Sequence, residues 1–187
     1  MAVIDSVTVY APGSSGNAVP SATIGSNTGM VAPVGIGLDA SDNIYVTSVG
    51  STVGGFDSVA IYPYGSYANE PPTAVIRGEG SPNDNTLLSS PTGVAVDPSG
   101  NIFVANGMGG FDGLGSITEY APVGNRTGNL NIAPKAMIAG DVTGDNTELN
   151  APAGVAFDSL GNIYVANADG GPDGVGSVSR IRQEFRV

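Results

Sequence analysis

Asp39-Ala-Ser-Asp-Asn-Ile-Tyr-Val46 is the stretch that decides the fold, because this chain of 187 residues contains it in three versions. It returns as Asp97-Pro-Ser-Gly-Asn-Ile-Phe-Val104 and as Asp158-Ser-Leu-Gly-Asn-Ile-Tyr-Val165. A proline precedes each version by six residues, at Pro33, Pro91 and Pro152. Self-similarity at a period of tens of residues is the signature of repeat architectures. The sequence therefore predicts tandem copies of one structural unit.

Each copy predicts four short strands, which we call a, b, c and d. The repeated stretch supplies the turn between a and b, since an Asp there can bond its own following backbone, and its Ile-Tyr/Phe-Val end begins strand b. Strand a is small and apolar: Val34–Leu38, Gly93–Val96 and Gly154–Phe157. Strand c is Val7–Tyr10, Val59–Tyr62, Ile117–Tyr120 and Val178–Ile181, and strand d is Ala22–Ile24, Ala74–Ile76 and Ala136–Ile138. Four short antiparallel strands per repeat predict an all-β fold, a β-propeller of four-stranded blades.

The repeat also resembles a known family. Pro-x-Gly-Val-Ala-Val-Asp-x-x-Gly-Asn-Ile-Tyr-Val-Ala-Asn followed by Ser-Val-x-x-Tyr is similar to NHL-type propeller repeats, and Val9-Tyr-Ala-Pro-Gly-Ser-Ser-Gly-Asn-Ala18 resembles bacterial proteins of that kind. The resemblance implies a propeller along nearly the whole chain. It implies no particular function, because propellers host binding and catalysis alike. Many NHL repeats carry charged residues between strands b and c, whereas this chain is Gly-rich there, so no ligand role is carried over.

Counting strands raises a question of closure. We predict one partial propeller domain over residues 1–187, with repeats at about 6–57, 58–115 and 116–176 and an extra strand at 177–187. That is about three blades per chain, and closed propellers typically have four to eight. Three interpretations follow: a homodimer that completes a six-bladed ring, an open filament built by heterologous contacts, or a fragment of a longer propeller.

Self-association is predicted at the two ends of the chain, because a terminal blade presents an unpaired edge and an uncovered apolar face. The residues expected there are strand c of the first copy and the extra strand: Ser6, Val7, Val9, Tyr10, Val178, Arg180, Ile181, Arg182 and Phe185. Arg180, Arg182 and Arg186 are half of the six basic residues in a chain of net charge −11. They either dock an acidic partner copy or form a solvated tail that blunts the edge.

Composition excludes several classes of function. The net charge of −11 disfavours nucleic acid, whose binding needs a basic face to release counterions. No stretch of about 20 apolar residues exists, so we expect no membrane insertion. With no His and no Cys, the chain has no Ser-His-Asp triad, no Cys nucleophile and no zinc site of the usual kind. Richness in Gly, Ser, Asn and Thr favours an extracellular or cell-surface protein, although Met1–Ile4 is too short for the apolar core of a signal peptide.

Two sets of loops carry candidate sites. Between strands d and a of the third copy, Asp141, Asp145, Asn146 and Glu148 offer oxygen ligands suited to Ca²⁺; the alternative is turn chemistry, since Asn27, Asn85 and Asn146 all precede Thr. Between strands b and c, a shallow binding surface is predicted at Phe56, Asp57, Phe111, Asp112 and Asp173. There the alternative is that the apolar residues fill gaps between blades.

These observations favour a non-enzymatic propeller module for self-association and for binding a ligand or partner. No catalytic residue is assigned, and no cofactor beyond a Ca²⁺ ion is expected. The alternative is a Ca²⁺-dependent, lactonase-like hydrolase or lyase on a propeller scaffold. Such sites draw carboxylates from several inner strands, whereas the inner strands here offer mainly Val, Gly, Ala, Ile, Leu and Phe.

Overall fold

The computed structural model describes residues 5–25, 30–50, 56–79, 82–110, 113–140, 147–169 and 175–181, and they form strands and turns without a helix. The strands are β1 (Ser6–Val9), β2 (Ala22–Gly25), β3 (Pro33–Leu38), β4 (Ile44–Ser48), β5 (Ser58–Tyr62), β6 (Ala74–Arg77), β7 (Pro91–Val96), β8 (Ile102–Asn106), β9 (Ser116–Tyr120), β10 (Gly128–Leu130), β11 (Ala136–Ala139), β12 (Pro152–Phe157), β13 (Ile163–Asn167) and β14 (Ser177–Ile181). The described part of the chain therefore holds no helix that could cross a membrane.

The strands form one hairpin and three sheets. Strands β1 and β2 pair as the N-terminal hairpin; the first sheet has the order β10-β6-β5-β4-β3, the second β11-β9-β8-β7, and the third β12-β13-β14. In each sheet the strands predicted as a, b and c follow one another in antiparallel pairing. The all-β prediction is confirmed, and the predicted strands lie where the repeat placed them.

One strand was not predicted. Strand β10 lies in the long connection between β9 and β11, and it pairs in parallel with β6 of the preceding sheet. Ala68, in the connection between β5 and β6, makes a similar isolated parallel bridge to Ile24 of β2. The connections between strands c and d thus reach back to the outer strand of the unit before them.

The hydrophobic core lies between neighbouring sheets, in three layers. The first layer joins the hairpin to the first sheet, the second joins the first and second sheets, and the third joins the second and third sheets. Strands β4 and β8 are buried on both faces, which explains why their apolar runs do not alternate with polar residues. Phe103 and Phe157 meet edge to face across the third layer, with ring centroids 4.8 Å apart.

The turn between strands a and b follows the predicted chemistry. In the first copy the Asp39 carboxylate accepts the backbone N–H groups of Ser41 and Asn43 and the side-chain amide of Asn43. Asp97 and Asp158 do the same in the other two copies. Asp42, Gly100 and Gly161 all have positive φ at the tip of this turn. The three Asp residues are therefore turn residues, as expected.

These hydrogen bonds favour the ionised carboxylates. For Asp158 the amide of Asn162 is the largest cause of a lowered pKa. For Asp39 burial by itself would raise the pKa, but the hydrogen bonds from Asn43, Ser41 and Tyr45 together outweigh it and the pKa is lowered. A carboxyl whose pKa is lower in the folded state stabilises the fold above its unfolded pKa and loses that contribution as the pH falls through the folded value.

We therefore expect Asp39→Asn to flatten the acid dependence of stability. In urea unfolding between pH 7 and pH 2, the wild-type free energy of unfolding should fall below about pH 4, near the unfolded pKa of an Asp, and the variant should fall less steeply. Asp42→Asn is the matched control, since it removes a charge from the same turn and keeps the Asp39 acceptor. Equal slopes for wild type and Asp39→Asn would contradict this account.

Candidate assembly interface

Neighbouring sheets meet along their inner strands at a row of glycines. A Cβ on Gly35 of β3 would lie 2.4 Å from the carbonyl oxygen of Thr92 and 2.9 Å from the Cα of Gly93. A Cβ on Gly93 of β7 would lie 2.8 Å from the Cα of Gly154. Real Cβ atoms do not approach backbone this closely, so the sheets pack at a distance that only glycine allows.

The third glycine of the row faces open space. Gly154 of β12 occupies the position of Gly35 and Gly93, but a Cβ there would meet no atom of the described residues within 4 Å. Ala156 on the same strand and Ala166 of β13 are exposed and Tyr164 is only partly covered, whereas every residue of β8 is buried. The outward face of the third sheet thus has the shape of a packing face without a sheet on it in the described part of the chain.

The first sheet has the complementary open face. Val34, Ile36 and Leu38 project from β3 away from β7, and each is 55–56% exposed. On the next inner strand the counterpart of Ile36 is Val94, which is 6% exposed because the first sheet covers it. A row of three exposed apolar side chains on one strand makes this face a candidate interaction surface.

A groove lies between this face and the N-terminal hairpin. It encloses about 910 Å³ between β1 and β3. Its walls are mostly apolar and include Val7, Val9, Tyr10, Ile36, Leu38, Ile44 and Tyr64. In a complete unit of this protein, strands b and a follow strand c in the same sheet and pack against the inner strand of the next sheet. The groove is therefore the place of strands a and b in the unit to which the hairpin contributes strands c and d.

A buried amide identifies which strand c belongs with which strand b. Asn106, at the end of β8, is fully buried, and its Oδ1 accepts the Ser89 N–H at 3.1 Å. Its Nδ2 donates to the hydroxyls of Ser116 and Thr118 on β9, each at 3.2 Å. The amide is satisfied because strand c carries hydroxyls at its first and third positions.

The third sheet repeats this network with β14. Asn167 accepts the Asn150 N–H at 3.1 Å and donates to Ser177 and Ser179 of β14 at 3.3 and 3.0 Å. In the first sheet Ser48 takes the place of the Asn, and its buried hydroxyl has no hydrogen-bond partner among the described residues. Strand β1 carries Ser6 and Thr8 at the two hydroxyl positions, although no strand b lies beside it in the described residues.

Of the predicted assembly residues, Val7, Val9 and Tyr10 line the groove. Val9 and Tyr10 are exposed in the groove, and Val7 packs inside the hairpin layer, while Ser6 begins β1. The extra strand occupies the third sheet as β14, where Arg180 lies opposite Tyr164 and Ile181 packs on the third core layer. Val178 of that strand is 69% exposed. Arg182, Arg186 and Phe185 lie outside the described residues.

The loop predicted to bind ligand has a structural use at Asp57. Its carboxylate accepts the Gly50 N–H at 2.8 Å and the Ser90 N–H at 2.7 Å, so it fastens the first sheet to the segment that enters the second. Phe56 lies 5.1 Å from the Arg77 guanidinium, in cation–π contact. Phe111, Asp112 and Asp173 lie outside the described residues. Asp57 therefore joins neighbouring units, whereas the Phe56–Arg77 contact lies within the first sheet, and ligand binding by this loop stays a prediction.

The predicted Ca²⁺ loop is described only at Glu148. Asp141, Asp145 and Asn146 lie outside the described residues. Glu148 is exposed with φ 55°, and its backbone carbonyl accepts the Ser179 hydroxyl at 3.2 Å. Leu87 has φ 56° at the matching place of the second copy, where Asp84 accepts the N–H and hydroxyl of Thr86. These contacts are turn chemistry, and no three His, Cys, Asp or Glu side chains converge in the described ranges.

A second cavity, of about 470 Å³, lies between the first and second sheets at the end where strands a and b turn. Polar side chains that line it make hydrogen bonds to nearby residues of the first and second sheets. Arg126 donates to the carbonyls of Pro122 and Val123, and Tyr45 donates to Asp39 at 3.2 Å. Burial and the charge of Asp39 raise the pKa of Tyr45 to about 12, so the phenol stays protonated at neutral pH. These hydrogen bonds hold the turns in place. The groove at β3 is therefore the candidate site.

Comparison with known proteins supports the scaffold. No family model and no curated protein match the sequence. The chain is similar to a solved structure, the PQQ-bound form of an aldose sugar dehydrogenase from Streptomyces coelicolor, at 15% identity and a TM-score of 0.50. The match covers 91% of this chain and 47% of the dehydrogenase, so the chain spans about half the length of that protein. The dehydrogenase has a β-propeller, and the likeness assigns a propeller-type all-β fold to this chain.

Proposed function

We propose that this chain is a non-enzymatic propeller module of NHL-repeat type whose function is self-association, with two copies joined head to tail in a six-bladed ring. The observation that carries the proposal is the pair of open faces at the ends of the stack. The apolar face of β3 and the glycine face of β12 are the two halves of a contact that the chain already makes twice internally.

The fit follows from the internal contacts. Gly93 packs on Gly154 and on the carbonyl of Ala153, and Gly35 packs on Gly93 and the carbonyl of Thr92. By the same relation Gly154 of one copy would pack on Gly35 of the second. Covering the exposed half of three aliphatic side chains contributes on the order of 3 kcal/mol at the usual value for apolar burial. This term favours association before any strand pairing is counted.

Strand β1 completes the shared blade. With β12 and β13 of one copy in the groove of the second, β1 of the second copy replaces β14 beside β13, and β14, which pairs with β13 in the single chain, leaves the third sheet. Its Ser6 and Thr8 then serve Asn167 as Ser116 and Thr118 serve Asn106. Each chain contributes two complete units and half of two shared ones, so two chains supply six blades, within the range of closed propellers. A cell-surface or extracellular location, as composition suggests, is part of the proposal.

Light scattering tests the association. At micromolar concentration we expect a particle of twice the 18.5 kDa chain mass. A monodisperse monomer would contradict self-association and favour a fragment of a longer propeller, while a mass that grows with concentration would contradict the closed ring and favour a filament.

Ile36→Glu is expected to abolish association and leave the single chain folded. Ile36 is 56% exposed in the single chain, so the free energy of unfolding should change by less than about 1 kcal/mol. In the ring the carboxylate would be buried against a second copy, and the dissociation constant should rise at least about 100-fold, as expected for an unpaired buried charge. Met108→Glu, at a similarly exposed position in the connection between strands b and c of the second sheet, is the matched control and should associate like the wild type. Unchanged mass for Ile36→Glu would remove β3 from the interface.

A further inference from the structure

Two of the connections between strands c and d pair in parallel with strand d of the preceding unit, and we call such connections return segments. In the longest of them, Gly128 donates its N–H to the Thr73 carbonyl at 2.9 Å, and Gly128, Asn129 and Leu130 pair in parallel with Ala74, Val75 and Ile76. In the one before it, Ala68 donates to the Thr23 carbonyl at 2.7 Å and its own carbonyl accepts the Gly25 N–H at 2.9 Å. Each return segment adds an edge to strand d of the preceding unit.

The connection from Tyr10 to Ser21 is a third return segment. It has the same length as the connection from Tyr62 to Thr73, and Ser21 closes it as Thr73 closes the other, by N–H and hydroxyl bonds to strand c. The φ angles match at the two bends: 81° at Gly13 and Gly65, and 60° at Gly16 against 54° at Ala68. Its Gly16-Asn17-Ala18 also repeats the Gly-Asn-apolar sequence of β10.

This third return segment has no strand to pair with in the described part of the chain. Gly16 would accommodate a Cβ without meeting an atom within 4 Å, and Val19 is 86% exposed. Strand β11, on the other hand, is a strand d whose outer edge no described strand covers. Ala136 of β11 is exposed, whereas Ala74, its counterpart on β6, is 1% exposed beneath β10. Among the described residues, the Tyr10–Ser21 return segment thus pairs with no strand, and the outer edge of β11 is not covered by a return segment.

We propose that residues Ser14-Ser15-Gly16 of one copy pair in parallel with Ala136-Met137-Ile138 of a second copy, in the register Ser14 to Ala136, Ser15 to Met137 and Gly16 to Ile138. The inference rests on the proposed head-to-tail ring, in which the hairpin of the second copy stands in the blade next to β11. It adds a second contact, made by main-chain hydrogen bonds of the β-augmentation type. The register is the one that Ala68 adopts on Ile24 and Leu130 on Ile76, since Gly16, Ala68 and Leu130 each lie six residues before strand d of their own unit.

Disulfide trapping tests the register, since the chain has no native Cys. Ser15→Cys and Met137→Cys are made as separate variants, mixed, and oxidised mildly. Directly opposed residues in a parallel pair lie within the 4.4–6.8 Å Cα separation that a disulfide needs (roughly, by general geometry). We expect a disulfide-linked heterodimer as the main product on a non-reducing gel. Within one chain, Val75→Cys with Asn129→Cys is the positive control for the same geometry.

The controls separate this inference from the proposed ring. Ser15→Cys mixed with Tyr67→Cys should cross-link at least about tenfold more slowly, because Tyr67 is exposed beside Ala68, which bridges to β2, two units away from β11. If light scattering shows twice the chain mass but Ser15→Cys and Met137→Cys cross-link no faster than this control pair, the register is wrong and the ring stands. If the chain is a monomer, the ring fails and the return-segment contact fails with it.

Discussion

Gly35→Ala should destabilise the single chain by about 2–3 kcal/mol, the usual cost of forcing atoms into a packed interior. The added methyl would lie 2.4 Å from the Thr92 carbonyl and 2.8 Å from the Thr47 hydroxyl, so the first and second sheets have to separate. Gly154→Ala is the matched substitution at the equivalent place in β12, where the methyl meets nothing within 4 Å. It should leave the free energy of unfolding unchanged or raise it by a few tenths of a kcal/mol, because Ala is less costly than Gly in a strand.

Chemical unfolding of the two variants measures the difference, and light scattering adds a second readout. In the ring, Gly154 takes up the close contact that Gly35 and Gly93 make inside the chain, so Gly154→Ala should weaken association at least about tenfold while folding normally, the equivalent of about 1.4 kcal/mol. Equal loss of stability in both variants would show that the glycine row does not set the spacing of the sheets. Normal association of Gly154→Ala would place the interface elsewhere.

Asn106→Leu is expected to cost about 3 kcal/mol of stability. The substitution removes the acceptor of the Ser89 N–H and the donor to the hydroxyls of Ser116 and Thr118, all inside the second sheet. Leaving a buried polar group without its partner costs about 1–3 kcal/mol for each group that water does not reach. The measurement is the urea midpoint at constant slope, which reports stability without a change in the unfolded state.

Ser48→Ala is the matched control at the same place in the first sheet. The Ser48 hydroxyl is buried and has no hydrogen-bond partner among the described residues, so its removal should change stability by less than about 0.5 kcal/mol or increase it. If Asn106→Leu were as mild as Ser48→Ala, the amide network would not be what specifies the pairing of strands b and c. The argument that β1 can replace β14 beside Asn167 would then lose its chemical basis.

The same physical contact builds the fold and the proposed interface. Inside the chain, the apolar row of one inner strand packs against the glycine row of its neighbour, and this happens between β3 and β7 and again between β7 and β12. In the described residues each outer sheet presents one side of this contact: β3 has an exposed apolar row, and β12 has a glycine that nothing covers. The proposed association would thus repeat, between two copies, a contact that the described residues already make within one chain.

Much of the fold could be predicted from the sequence because its signals are local. The Asp39, Asp97 and Asp158 turns each close within five residues, so their chemistry is visible in the sequence. Phe103 and Tyr120 could be placed in the core from their recurrence in strands b and c, and both are buried. Tyr10 and Tyr164 belong to the same pattern and are only partly covered or exposed, because the sheet that would cover them is not part of the described chain.

The assembly site could be predicted only in outline. Its position at the two ends followed from counting strands, but the buried amide network was not foreseen. A signal for it exists in the sequence: Asn ends strand b in two copies, and a hydroxyl residue stands at the first and third positions of strand c in three of its four occurrences. Strand β10 was missed because three residues, Gly128-Asn129-Leu130, show no alternation, and their pairing with β6 joins residues more than fifty positions apart.

What the sequence by itself determined is the number, type and order of the strands, since turn chemistry and short apolar runs act between residues close in the chain. Only the tertiary structure decided which faces and edges stay open: the apolar row of β3, the glycine face of β12 and the outer edge of β11. The physical reason is that coverage depends on packing between sheets and on hydrogen bonds between segments far apart in the chain. No local pattern encodes which partner a strand will find.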